Sequence, residues 1–358
     1  EMSDTAIIEG CQAISTSSNS SNGGGVYVSS SSSFVMSNEA KIEGCQAISN
    51  SSKSSKGGGV HLANNTKFTL SGSAVIQYCK AVNSDGSSES YGGGVSAACV
   101  KEITLADSAR IVGCAAANGS GLYITGSQVP GYGILYANSG SVDGDVVLGD
   151  TEDGPCTITG SGGTVFNGKV TVTPGSTIES GTFNGEVINN GTITGGVFTG
   201  TVINGEGGTI AESVLITKLK FIVTFVNEGT KTTEPIAKDV KLTAPAAPTK
   251  EGYRFGGWYY NNSGSEAKWD FDTDTVTRAM TLTAKWVQTY TVTFETSGGS
   301  AVGPVTIDAG STVTKPADPM KSGHNFGGWY KDSTLQTPWN FANDTVRTDT
   351  TLYAKWTA

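Results

Sequence analysis

Basic residues are scarce in this chain. Lys and Arg number 23 against 32 Asp and Glu in 358 residues, a formal net charge of −9. Nucleic acid and anionic membrane surfaces both call for a positive footprint, so neither is an expected partner. Charge of either sign is thin, at 15% of residues, against roughly 25% in ordinary globular proteins. No apolar run reaches 18 residues, which excludes a membrane-spanning helix within this sequence. Histidine is almost missing. His61 and His324 are the only two and lie far apart, with no nucleophile and acid beside either, so a Ser-His-Asp or Cys-His site is not expected. Helical spacing of apolar residues is also lacking. What is present is glycine, at 49 residues, together with Ser, Thr and Asn between regular apolar positions. That combination fits an extracellular β protein and not a disordered tail.

Two further absences divide the chain. Trp does not occur before Trp258, and Cys does not occur after Cys156. Residues 1–218 carry 9 Lys/Arg and 18 Asp/Glu, whereas residues 219–358 carry 14 of each. Two kinds of folding unit are therefore expected to meet near residue 218.

The first unit is repetitive. Ile8-Glu9-Gly10-Cys11-Gln12-Ala13 returns as Ile42-Glu43-Gly44-Cys45-Gln46-Ala47, then more loosely around Cys79 and Cys114, at spacings of 34, 34 and 35 residues. A fixed period of this size marks a solenoid or array. Each repeat holds three short alternating segments, the mark of strands with one buried face. One follows a triple glycine (Val26-Tyr27-Val28, Val60-His61-Leu62, Val95-Ser96-Ala97). The others begin at Phe34, Phe68 and Ile103, and around Ile42, Ile76 and Ile111. Stacking the turns about 4.8 Å apart would place like residues in columns, with glycine corners where φ is positive. The Ser/Asn tracts Ser15–Asn22, Ser49–Lys56 and Ser84–Tyr91 read as loops at one corner. After about residue 121 the period shortens, as in Val165-Phe166-Asn167-Gly168 and Thr182-Phe183-Asn184-Gly185, and the coil is expected to end near Leu219. Because Met2-Ser3-Asp4 aligns with Met36-Ser37-Asn38, the chain starts inside a repeat and is expected to be a piece of a longer precursor.

The Gly-Gly-Gly-Val and Phe-x-Met/Leu-Ser…Ala-x-Ile-x-Gly-Cys grammar resembles the right-handed parallel β-helix of the pectate-lyase-like superfamily. More narrowly it resembles adhesin-like surface proteins, although Val stands for the third small residue of their motif and Phe34 and Phe68 lack its Asn. In residues 219–358, Gly252-Tyr253-Arg254-Phe255-Gly256-Gly257-Trp258-Tyr259 returns as Gly323-His324-Asn325-Phe326-Gly327-Gly328-Trp329-Tyr330. Thr281-Leu282-Thr283-Ala284-Lys285-Trp286 returns as Thr351-Leu352-Tyr353-Ala354-Lys355-Trp356. This pattern resembles the Listeria–Bacteroides repeat, the B-repeat of internalin-type proteins. The resemblance implies small β-grasp-like domains that serve as spacer or adhesion modules, without catalytic residues. The expected architecture is all-β: a right-handed parallel β-helix over 1–218, then repeats over 219–287 and 288–358.

Several residue groups could carry chemistry. The column Cys11, Cys45, Cys79 and Cys114 can be read as small buried hydrophobes, as a disulfide between adjacent rungs, or as a metal site, though no Cys-x-x-Cys or His partner supports the last. Glu9 and Glu43 share an outward position, and a close carboxylate pair could imitate a glycosidase; Lys41 beside them favours surface charge. The acid-rich stretch Asp143, Asp145, Asp150, Glu152 and Asp153 is a weak calcium candidate or a solvated loop. Asp270, Asp272 and Asp274 alternate in the first repeat only. Outward residues Tyr27 and His61 are the binding candidates, with the Ser/Asn loops. No cofactor is expected. The functional expectation is a secreted or cell-surface bacterial adhesin, non-enzymatic, with the β-helix as binding face and the repeats as stalk. Its partner would be a host protein, a glycan or a cell-wall component. The alternatives are a β-helix polysaccharide lyase or glycosidase with appended repeats, and a pure spacer.

Overall fold

A computed structural model describes residues 1–358 except Ser17, Ser18, Ser51, Ser52, Gly86, Ser87, Ser88, Pro130 and Thr151. Among the described residues there are strands and no helices. The chain folds as two compact units. One comprises Glu1–Val223 with Thr233–Lys241 and Thr275–Met280; the other comprises Thr224–Thr232, Leu242–Asp274 and Thr281–Ala358.

The first unit is a parallel β-helix with three walls. The first wall begins with Val26–Val28, Val60–Leu62, Val95–Ala97 and Leu122–Ile124 and continues through Val146–Leu148, Val170–Val172, Val187–Asn189 and Val202–Asn204. The second runs from Ser33–Met36 to Thr209–Ile210, and the third from Ile7–Glu9 to Val197–Phe198, with eight strands each. Every wall pairs in parallel and in register: Ile8 meets Ile42, Ile42 meets Ile76, and Ile76 meets Ile111. Register of this kind stacks like side chains. Phe34 lies on Phe68 with ring centroids 5.5 Å apart, and Phe166, Phe183 and Phe198 form a second stack at 5.0 and 4.9 Å. The columns close a continuous core in which Ile42, Ile76, Ile111, Val60 and Val95 are fully buried. The last rung is Leu219–Phe221, paired with Val202–Asn204. Thr233–Lys241 and Thr275–Met280 complete this unit, held by Lys238 N to Leu219 O at 3.1 Å and Asp239 N to Val276 O at 2.8 Å.

The sequence suggested three strands per turn. The first turns have five. Gln12–Ser15, Gln46–Ser49 and Lys80–Asn83 form a small parallel ladder, and Ser21–Asn22, Ser55–Lys56 and Ser90–Tyr91 form another. The flanks of the Ser/Asn tracts are thus ordered, while their tips, including Ser17, Ser18, Ser51, Ser52, Gly86, Ser87 and Ser88, lie outside the described residues. The triple glycine makes the return from this ladder to the first wall possible. Gly57 has φ 65°, and a Cβ on Gly58 would come within 2.4 Å of the Lys80 backbone. Only a residue without a side chain fits both demands.

In the second unit, each copy of the Trp-rich pattern pairs its Phe-Gly-Gly-Trp strand antiparallel to its Ala-Lys-Trp strand. Both ladders shift register at the glycines, between Phe255 and Gly257 and between Phe326 and Trp329. Such a bulge turns the Trp inward. Trp258 packs edge-on against Phe225 and Phe255, and Trp329 against Phe294 and Phe326. In the second copy Val292–Glu295 runs parallel to Thr350–Tyr353, flanked by antiparallel neighbours. This is the mixed sheet of a grasp-like domain. The helix that a β-grasp would add is replaced by an irregular connection that puts Val313 into the core.

The columns make a stability prediction. Ile76→Ala removes a fully buried rung and should cost about 2–5 kcal/mol. Ile7→Ala, on the third wall at 58% exposure, should change stability by less than about 0.5 kcal/mol. Urea unfolding of both variants measures the contrast.

Candidate functional site

The outward column of the first wall begins Tyr27, His61, Ser96, Tyr123, each the register partner of the next. The short ladder at the glycine corner places Asn22, Lys56 and Tyr91 in a second column. A buried serine precedes each member of that ladder and fixes it to the neighbouring strands. Ser21 Oγ donates to Ala13 O; Ser55 Oγ donates to Val82 O at 2.7 Å; and Ser90 Oγ accepts from Ala117 N at 2.9 Å. The two columns pack side by side: Tyr91 meets Tyr123 with ring centroids 4.8 Å apart and planes inclined by 56°, and Ser96 is buried between its neighbours.

His61 departs from the expectation of an exposed wall residue. It is only 5% exposed, because Tyr27 stacks on its ring at 5.6 Å and the corner ladder stands beside it. Alternation along a strand tells which face a side chain occupies, not what covers that face. Burial, with the nearby Lys56 charge, lowers the imidazole pKa from 6.5 to about 4, so the ring is neutral at physiological pH. Its Nδ1 has no hydrogen-bond partner among the described residues, and neither has Asn22 Oδ1. Tyr27 is 54% exposed.

Carboxylates gather at the other end. Tyr123 donates its hydroxyl to Asp150 Oδ2 at 2.9 Å, Tyr91 donates to Glu89 Oε2 at 2.8 Å, and Thr125 donates to Asp153 Oδ2 at 2.9 Å. Burial, the Glu89 contact and the charges of Asp150 and Glu152 push the Tyr91 phenol up to about 12; burial and Asp150 raise Tyr123 as well.

The five acids of the calcium candidate are not brought together. Asp143 is bound by Arg110 at 3.3 Å and by Asn167 at 2.6 Å, and Asp145 accepts from Lys169 N at 2.9 Å. Asp150 instead caps its own turn, accepting from Glu152 N and Asp153 N. The intervening strand Val146–Leu148 separates the two sets. Among the described residues no group of three His, Cys, Asp or Glu is placed to hold a metal. Asp270 and Asp274 are turn caps, with Asp270 N bonded to Asp274 Oδ2 at 2.8 Å; Asn340 and Asp344 repeat the bond at the same length.

All six cysteines are free thiols. Cys45 and Cys79 are buried in the core, and each donates to a carbonyl two residues back, Glu43 O at 3.4 Å and Gln77 O at 3.3 Å. Burial pushes the Cys45 thiol up to about 11, and the contact with Cys114 together with burial raises Cys79. Glu9 and Glu43 are register partners on the third wall.

With both Phe-Gly-Gly-Trp bulges in view, the second unit can be compared with known proteins. Residues 221–285 and 290–355 match the family model of the Listeria-Bacteroides repeat domain. A Gly-rich membrane protein of Evansella cellulosilytica is 47% identical over 132 residues, which is 36% of this chain and 15% of that protein. A second membrane protein of the same organism is 46% identical over 132 residues, 36% of this chain and 20% of its own length. Internalin H of Listeria monocytogenes is 36% identical over 140 residues, 38% of this chain and 25% of its own length. The aligned part is thus a quarter or less of each of these relatives. Within the Listeria-Bacteroides repeats the aromatic residues serve packing, and Arg254 of the first binds Asp308 of the second through two bonds of 3.0 and 2.5 Å.

Of the residues in these two columns, the sequence pointed to Tyr27 and His61. It missed Asn22, Lys56, Tyr91 and Tyr123. A signal existed in the Ser-x-Gly-Gly triplets at Ser21, Ser55 and Ser90, where the middle residue varies while its neighbours do not.

The lowered His61 pKa predicts a pH effect. The folded value lies below the unfolded one, so the unfolded chain binds the proton first as pH falls below about 6.5, and native stability declines until about pH 4. Relative to His61→Gln, the wild type should lose about 2 kcal/mol between about pH 7 and about pH 5. Denaturant unfolding at the two pH values measures this, and an unchanged difference would contradict it.

Proposed function

We propose that this chain is part of a non-enzymatic bacterial cell-surface protein of the adhesin type. In this reading the β-helix offers a recognition face and the two Listeria-Bacteroides repeats form a stalk. The partner is a glycan or protein of a host, or a component of a cell wall. The observation that carries the reading is the face formed by two registered columns, Tyr27, His61, Ser96 and Tyr123 in one and Asn22, Lys56 and Tyr91 in the other, with Tyr27 exposed. It offers aromatic faces and hydrogen-bonding groups in regular succession, which suits binding along an extended ligand. The repeats and the internalin relative support a surface setting. Among the described residues His61 Nδ1 has no hydrogen-bond partner, and His324 Nδ1 faces Ser322 O at 2.9 Å.

Glycan arrays and immobilised matrix proteins test this directly. A ligand should appear whose affinity drops at least about tenfold in Tyr27→Ala, the loss typical of an aromatic anchor. Release of new reducing ends or unsaturated sugars from polysaccharides would favour the enzyme reading, and binding unaffected by Tyr27→Ala would move recognition away from this face.

A further inference from the structure

We propose that the two Listeria-Bacteroides repeats form one rigid body. Their relative rotation is set by a strand held in common and by the Arg254–Asp308 pair. The proposal concerns this junction alone and stands whether or not the repeats serve as a stalk.

The first observation is the strand itself. The family matches stop at residue 285 and resume at residue 290, so residues 286–289 join them. All four lie within one strand, Met280–Glu295, and each has a register partner. Trp286, Val287 and Gln288 pair with Phe255, Arg254 and Tyr253 of the first repeat, and Thr289 pairs with Asp308 of the second. A joint that bends needs backbone free of such partners, and none of these four residues supplies it.

The second observation is how the join is flanked. Gln288 O accepts from Ala309 N, and Thr289 N donates to Gly252 O, both at 2.8 Å. These two groups belong to a single trans peptide, so they point to opposite edges of the strand. The strand Val305–Asp308 of the second repeat therefore runs along one edge. Tyr253–Asn262 of the first runs along the other, and the two meet at the join. A hinge at this place has to open bonds on both edges.

The third observation is the ion pair. Arg254 and Asp308 stand opposite Val287 and Thr289, which are two residues apart on the shared strand and so face the same way. The guanidinium reaches over the strand to the carboxylate, with Nε to Oδ1 at 3.0 Å and Nη2 to Oδ2 at 2.5 Å. A planar fork meets a carboxylate in one orientation. The pair thus fixes rotation about the strand even though, exposed as it is, it adds little stability. The equivalent of Arg254 in the second copy is Asn325, and the equivalent of Asp308 in the first is Ala237. The pair therefore belongs to this order of the two copies, and the reverse order could not form it. A body built this way transmits orientation from one end to the other, where a flexible linker would transmit only distance.

Residual dipolar couplings of backbone amides in the weakly aligned full chain test this, with folding of each variant checked by thermal unfolding. One alignment tensor should fit the strands of both repeats. Insertion of Gly-Ser-Gly after Gln288 should make two tensors necessary, and the wild-type fit decides if that insertion disrupts folding. Amide hydrogen exchange reads the ion pair separately. Arg254→Ala should speed exchange at Thr289 and Ala309 about twofold to fivefold, and the double variant Arg254→Asp with Asp308→Arg should restore the wild-type rate. Two tensors in the wild type, or a single tensor after the insertion, would overturn the rigid body. Unchanged exchange in Arg254→Ala would overturn the role given to Arg254 and Asp308.

Discussion

Parallel pairing in register governs the first unit. Once the backbone of one turn hydrogen-bonds to the next without slippage, each side chain must lie over its equivalent about 4.8 Å away. Inside the coil this favours like on like, because a flat ring or a branched aliphatic fills the space left by its copy. The Phe stack at 166, 183 and 198, with interplanar angles of 8° and 10°, shows how little freedom remains. Outside the coil the same constraint acts differently. There like can lie on like, as Glu9 on Glu43, or the column can change, as from Tyr27 to His61, Ser96 and Tyr123, and that variation gives a repetitive wall a distinct place.

The corner ladder adds a second layer to the first wall. A bare β-helix wall is flat and offers side chains one layer deep. Here Ser21, Ser55 and Ser90 hold a second layer beside the first wall through bonds to carbonyls or amides of neighbouring strands. The glycines carry the chain back under it where a Cβ would strike backbone atoms. Burial of His61 follows from that second layer.

Most of the coil was legible in the sequence because its spacing and its apolar alternation agree. The columns of Ile8, Ile42, Ile76 and Ile111, and of Phe34 and Phe68, could be written down before any geometry. The extra ladders could not, since Ser-Asn, Ser-Lys and Ser-Tyr carry no apolar alternation, and their pairing depends on where the glycine corner sends the chain. The face around Tyr27 was half legible for the same reason. Tyr27 stands on a strand whose face can be counted, whereas Tyr91 is placed by a buried serine hydroxyl. The acids at 143–153 looked like one cluster because they are near in sequence, yet a single strand is enough to part them. In the Listeria-Bacteroides repeats the Gly-Gly pair was legible as a motif, and its role as a bulge that turns Trp258 and Trp329 inward emerged only from the register.

In the second repeat, the strand that enters it, Val292–Glu295, lies parallel and adjacent to the one that leaves it, Thr350–Tyr353. Tension applied at the two ends of that domain therefore pulls these neighbours in opposite directions along their length. Every bond of the ladder bears load at once, and none can open ahead of the others as in a zipper. A tether built on this plan resists flow or traction by its connectivity, independently of how much apolar surface it buries.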